Sequence, residues 1–93
     1  MVLSAIAWDD DSADHIARHG VTPEEVEEVC FSRPFIVRGR GRRKLQIYYA
    51  LGQTAHGRYL LVVFRALGGG RARIVTAREM SPAERRRYQG SRP

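Results

Sequence analysis

The apolar positions of this chain change period along its length, and each change marks a different element. Val2–Trp8 is a short apolar run, readable as a first edge strand or as a segment that packs Ile6 and Trp8 onto the core. Asp9, Asp10, Asp11 and Ser12 then offer N-cap oxygens, and Ala13, Ile16 and Ala17 form a narrow helical stripe ending at Gly20, a good residue for closing a helix. The acids of this short helix lie at its start and Arg18 and His19 at its end, as the helix dipole favours. In the next segment Thr22, Pro23 and Glu25 have capping-box spacing, and Val21 and Val26 are placed as a hydrophobic staple. That predicts a second helix burying Val26, Val29 and Cys30, turning Glu24, Glu27 and Glu28 outward, and stopping before Pro34.

Beyond Pro34 the period falls to two. Phe35, Ile36 and Val37 read as a short strand, and Arg38–Arg43 as a Gly- and Arg-rich loop. From Lys44, Leu45, Ile47, Tyr49 and Leu51 share one face of a strand, with Gln46, Tyr48 and Ala50 on the other. Tyr59–Phe64 is apolar on both faces, as a central strand is, and Arg73–Arg78 reads as the strand after it. Ser81, Pro82 and Glu84 repeat the capping chemistry and open a last helix carrying Arg85, Arg86, Arg87 and Tyr88. The predicted fold is α+β: two N-terminal helices, a three- to four-stranded antiparallel sheet and one C-terminal helix.

Composition changes this picture through charge. Ninety-three residues suit a single domain, residues 1–93, and 43% hydrophobic with 28% charged residues is a globular composition. A formal charge of +6 and a pI near 10.4 point to a polyanionic partner, nucleic acid first. Fifteen of the sixteen cations are arginine, whose planar fork meets phosphate bidentately; a GC-rich genome would enrich arginine as well. The charge is unevenly placed: residues 1–32 hold eight acids and one base, and residues 33–93 hold fifteen bases and two acids. A lone Cys30 allows no internal disulfide, no stretch is apolar enough to span a membrane, and no basic segment precedes the first apolar run as in a secretory signal, so the expected compartment is the cytoplasm.

Several catalytic constellations can be weighed and set aside. His15 and His19, four apart with Asp11 a turn earlier, have a possible metal spacing, but Ile16 stands where a zinc protease needs Glu. Gly39, Gly41 and Gly68–Gly70 match no phosphate-binding loop and read as turns, so neither a metal nor a cofactor is expected. Cys30 lies on an apolar helix face and reads as a core thiol. Ser12 and Ser81 are engaged as caps, which leaves a Ser-His-Asp hydrolase little support.

The arginines remain. With turns centred near residues 55 and 69, Arg65 falls beside Arg73 on one side and Leu45 with Lys44 on the other, while Arg78 falls near Leu60 and Ala50. Arg65 and Arg78 would then be five positions apart, roughly 17 Å, too far to hold one phosphate. One cluster holds Lys44, Arg65, Arg71 and Arg73; the other holds Arg58, Arg78 and the start of the last helix, with Arg85. Such a surface can track several phosphates of one RNA strand, with Arg43 beside it and Tyr48, Tyr49 or Tyr59 as a stacking face. A solvated basic surface with core-anchoring tyrosines is the plain alternative.

Trp8 and Asp9, the run His19, Gly20, Val21 followed by Pro23–Val26, then Ala50, Leu51, Gly52 before an apolar strand Leu61–Phe64, then Ile74–Arg78 and finally Glu84, Arg85 and Tyr88 together resemble the BrnT family of toxins from bacterial type II toxin–antitoxin modules. The similarity runs from Ile6 to Tyr88 in the right order. It implies a RelE-like fold, a metal-independent endoribonuclease that cleaves mRNA and blocks translation, and an antitoxin partner with a ribbon-helix-helix DNA-binding region. By position it carries over Arg65 and Arg78. Gln46 and Ile47 stand where the family usually has Glu and Arg, with Lys44 or Arg43 near enough to substitute. Guanidinium stays charged, so the arginines suit phosphate stabilisation, and Lys44, Tyr48, His19 and Glu84 are the candidate proton carriers. The expected antitoxin contact is an acidic or amphipathic segment along the strands bearing Arg65 and Arg73. A noncatalytic RNA- or protein-binding module on the same scaffold is the second reading.

Overall fold

The computed structural model describes residues 1–39 and 46–91, which run β1 (Ala5–Ile6), α1 (Asp10–Ala17), α2 (Pro23–Phe31), β2 (Phe35–Arg38), β3 (Ile47–Gln53), β4 (Tyr59–Gly68), β5 (Arg71–Glu79) and α3 (Pro82–Gly90). The strands form one sheet in the order β1-β5-β4-β3-β2, antiparallel except for β1, which joins β5 in parallel. The sheet therefore has five strands where the sequence predicts three or four. The additional strand is the apolar N-terminal run, of which only Ala5 and Ile6 pair, opposite Arg71 and Ala72.

Both predicted capping boxes are present. Thr22 Oγ1 accepts from the Glu25 N–H at 3.2 Å while Glu25 Oε1 accepts from the Thr22 N–H at 3.0 Å. Ser81 and Glu84 repeat the exchange at the start of α3. Asp9 caps α1 by accepting from the Ser12 N–H at 2.7 Å, and Gly20 follows that helix at φ 71°, the left-handed conformation expected of a closing glycine.

α1 and α2 cover one face of the sheet. Ile16, Val21, Val26, Val29 and Cys30 pack with Ala50, Leu60, Val62, Phe64, Ile74 and Ala77, all buried. Two polar ties fix this layer: Ser12 Oγ donates to the Ile74 carbonyl at 3.1 Å, and Trp8 Nε1 donates to Glu27 Oε2 at 2.9 Å. A β-carbon at Gly52 would stand 2.9 Å from Val29 Cγ1, so glycine is what lets α2 lie close against β3.

Two details of register differ from the expected ones. The hairpin between β3 and β4 closes with Thr54 N–H donating to the Arg58 carbonyl, so Arg65 lies opposite Ile47 instead of Leu45 and Lys44, which lie outside the described residues. Between β4 and β5, Arg65 does lie opposite Arg73, but a bulge at Val63/Phe64 shifts the ladder by one, and Arg78 pairs with Leu61 instead of Leu60. A one-residue shift moves a side chain to the other face of a sheet. The bulge thus brings Arg78 onto the face that carries Arg65, four positions away along β4, about 13 Å at ~3.3 Å per residue.

α3 lies on that opposite face and buries none of its own residues. Leu51 and Leu61, each 2% exposed, are covered there, and their neighbours Phe35, Tyr59 and Arg78 carry the contacts to the helix. Among the described residues no helix is long and apolar enough to cross a membrane.

Candidate nucleic-acid interface

The outer face of the sheet is built from three cross-strand rows: Phe35, Leu51, Leu61 and Arg78; Val37, Tyr49, Val63 and Thr76; Ile47, Arg65 and Arg73. Alternation along each strand puts these side chains on one side and the core on the other. Arg65 and Arg73 are exposed and directly opposite one another, an arrangement unfavourable for like charges unless an anion stands between or beside them. Asp9 meets part of that need: its Oδ2 lies 2.5 Å from Arg73 Nη1, and the Ser12 N–H, with Arg73 adding to it, holds the Asp9 carboxyl below the ordinary carboxylate range. Arg65 has no acidic partner among the described residues. Arg71, exposed at the start of β5, adds a third cation at this end.

The other end of the face is neutralised. Arg78 is clasped bidentately by Glu84, with Nη1 to Oε1 at 2.8 Å and Nη2 to Oε2 at 2.9 Å, and it also donates to the Glu79 carbonyl at 3.0 Å. The Arg78 guanidinium and the Ser81 N–H hold the Glu84 carboxyl down to about 2. Glu84 is therefore an orienting group for Arg78 and has no proton to give near neutral pH. The charge of Arg78 is favoured in turn by Glu84 first and by Tyr49 to a smaller degree. α3 is fastened beside this pair by Tyr59: Arg85 stacks on its ring with the guanidinium carbon 3.8 Å from the centroid, Tyr88 meets it edge-on at 6.0 Å, and Gln89 donates to its hydroxyl at 3.4 Å.

Of the remaining predicted residues, some lie elsewhere. Tyr48 faces the helix layer and stacks on Phe64 with ring centroids 5.7 Å apart. His19 is exposed at the end of α1, across the sheet from Arg65, with its ring 5.8 Å from that of His15. Arg58 is a structural tie: Nη1 lies 2.9 Å from both Glu25 oxygens and donates to the Gly20 carbonyl, while Nη2 reaches Glu79 at 3.2 Å. Burial alone would raise the Glu25 carboxyl, but the bonds from Thr22 and Arg58 outweigh it and hold that group low. Lys44 and Arg43 lie outside the described residues. Burial, with Glu27 adding to it, pushes the Cys30 thiol up to about 12, so it is no nucleophile. Among the described residues, no three His, Cys, Asp or Glu side chains are grouped as metal ligands.

Sequence reasoning missed two groups on this face. Asp9 reads from sequence only as a helix cap, and its second role depends on β1 carrying it to β5. Thr76, in the row between the two arginine ends, has a buried Oγ1 with no hydrogen-bond partner among the described residues, and no local signal distinguishes it from any strand threonine.

Fold and face together define a small basic α+β protein that presents exposed arginines on one side of its sheet. The chain belongs to the family described as "Ribonuclease toxin, BrnT, of type II toxin-antitoxin system", whose model matches residues 8–84. That range spans every strand but β1 and includes Arg65, Arg78 and Glu84; Arg85 and Tyr88 fall just beyond it. It is thus a ribonuclease toxin of a type II module, which implies an RNA substrate and a cognate antitoxin. No individually curated protein matches the chain.

Proposed function

We propose that this toxin cleaves mRNA without a metal ion, on the outer sheet face, with Arg65, Arg71 and Arg73 holding the backbone around the scissile phosphate and Arg78, oriented by Glu84, bordering the site. The observation that carries this reading is the cross-strand opposition of Arg65 and Arg73, with Arg78 brought onto the same face by the bulge. In such a cleavage the 2′-oxygen bonds to phosphorus as the bond to the 5′-oxygen breaks. A base takes the 2′-hydroxyl proton, an acid returns one to the leaving 5′-oxygen, and cations stabilise the charge gathering on the phosphoryl oxygens. Arginines supply the last of these. For proton transfer Glu84 is locked ionised, Tyr48 is packed against the core and His19 lies on the far side. That leaves Lys44 as the candidate carrier, two residues before Gln46, whose carbonyl accepts from the Ala66 N–H next to Arg65. Tyr49 and Val63, between the arginine ends, offer a surface for a base. The family's usual arginine would fall at Ile47, beside Arg65; here the guanidinium next to Arg65 is that of Arg73, on its other side.

The test is purified protein with end-labelled RNA, with and without chelator. Cleavage unaffected by chelator, leaving cyclic phosphate ends and lost in Lys44→Met but not restored by Lys44→Arg, is the expected result. Ile47 favours one other reading, a noncatalytic binding module; salt-sensitive RNA binding with no cleavage would establish it. The antitoxin is proposed to carry a ribbon-helix-helix region and an acidic segment that masks Arg65 and Arg73; co-purification with the product of the adjoining small reading frame, and its release by high salt from the arginine face, checks this.

A further inference from the structure

Masking arginines with carboxylates is screened by salt, whereas a persistent complex needs a desolvated apolar anchor. The structure offers one, away from the arginine face. β2 is an edge strand. Because Gly39 N–H donates to the Ile47 carbonyl, the inward-bonded residues of this ladder are the odd ones, and the N–H and C=O groups of Ile36 and Arg38 point to the open edge. Among the described residues no backbone bond of a turn, loop or cap reaches them.

Where Arg33 and Pro34 lead from α2 into that strand lies a cavity of about 210 Å³, lined by these two residues with Val2, Leu3, Cys30 and Phe31. Three of the four large exposed hydrophobics among the described residues gather here: Val2 at 83%, Met1 at 62% and Phe31 at 44%. Arg33 is held at φ 55°, a left-handed conformation that disfavours any residue with a β-carbon, yet the position carries an exposed arginine. Arg38 is exposed at the other end of the strand. An open strand edge, an apolar cavity at its start and a cation at each end specify the occupant's chemistry: an extended segment with an apolar residue at one end and flanking carboxylates.

We infer that the antitoxin anchors by adding such a strand to the open edge of β2, with an apolar side chain in the Val2–Phe31–Pro34 cavity at the start of β2 and its carboxylates on Arg33 and Arg38. The inference rests on the toxin–antitoxin reading and concerns where the partner is held, separate from what masks the catalytic face. It is tested on the complex with the product of the adjoining reading frame. Val2→Glu with Phe31→Glu, both at exposed positions, should weaken binding by more than about thirtyfold, the loss expected of an interface hot spot. Arg38→Pro, which removes an outward-facing N–H at a position where an edge strand tolerates proline, should weaken it about tenfold. RNA cleavage by the free variants should match wild type.

Hydrogen exchange on the unaltered complex gives a readout that needs no variant: the Ile36 and Arg38 amides should become protected. Wild-type affinity in both variants, unprotected Ile36 and Arg38 amides, or loss of binding in Arg65→Glu alone would each overturn the anchor while leaving the toxin reading intact. Failure of the two proteins to associate at all would overturn the toxin–antitoxin reading, and the anchor with it.

Discussion

The two faces of this sheet are made by the same strands, residue by alternate residue, yet they treat charge in opposite ways. On the helix-covered face three acids of the first third of the chain are engaged: Glu25, with Glu79 of β5, holds Arg58, Glu27 accepts from Trp8, and Glu28 accepts from the Ala55 N–H. On the outer face two carboxylates, Asp9 and Glu84, are paired with Arg73 and Arg78, and Arg65 and Arg71 have no acidic partner among the described residues. The difference teaches that a net charge of +6 is a poor description of the molecule. Four of the acids of the first third, Asp9, Glu25, Glu27 and Glu28, tie the fold together, while Arg65, Arg71 and Arg73 stand exposed on one side, where a phosphate backbone can use them.

The comparison can be broken at either face. The largest effect belongs to the core side: Phe64→Ala removes a fully buried ring that packs on Tyr48 and should cost about 3–5 kcal/mol, read as a fall in the denaturant midpoint with RNA cleavage lost only where the protein unfolds. On the outer side, Arg65→Ala should leave that midpoint unchanged and lower cleavage by about 100-fold or more, the scale of losing one transition-state charge donor. If induced wild type arrests growth and Arg65→Ala arrests it equally, the arginine assignment is wrong. Next in size is Gly52→Ala, whose β-carbon would press on Val29 and should destabilise by about 1–2 kcal/mol without touching cleavage in the folded fraction.

How far each face was legible follows from the range of its interactions. Local chemistry was readable: both capping boxes, the Val21 and Val26 pair and the doubly buried run Leu60–Val62 stand as the residue pattern predicts. The pairing of Ala5 and Ile6 with β5 was not, because two residues carry no period and their partners are distant in the chain. Nor was the bulge at Val63/Phe64 visible, although it decides which face Arg78 occupies. Alternation already separates Tyr48 from Tyr49 in the sequence, but which of the two faces the helices cover was not legible, and it is this that sends Tyr48 to the core and Tyr49 to the candidate site. Glu84 was legible as a cap. Its clasp on Arg78 was not, since that requires knowing where α3 lands.

That clasp gives the smallest and most specific prediction. Glu84→Gln keeps a cap acceptor and removes the charge, and should cost about 1 kcal/mol, a fall in Tm of a few degrees for a domain of this size. The pH dependence follows from the direction of the shift. The Glu84 carboxyl is held down to about 2 in the fold against 4.5 when free, so its contribution is fully present above the free value and is lost as pH falls through the folded one. The Tm gap between wild type and Glu84→Gln should therefore be constant from neutral pH down to near pH 5 and should close between there and pH 2. Arg78, charged throughout, cannot produce that window by itself. A gap that changes near neutral pH would mean that another group holds Arg78, and that the neutral end of the outer face is set by something other than Glu84.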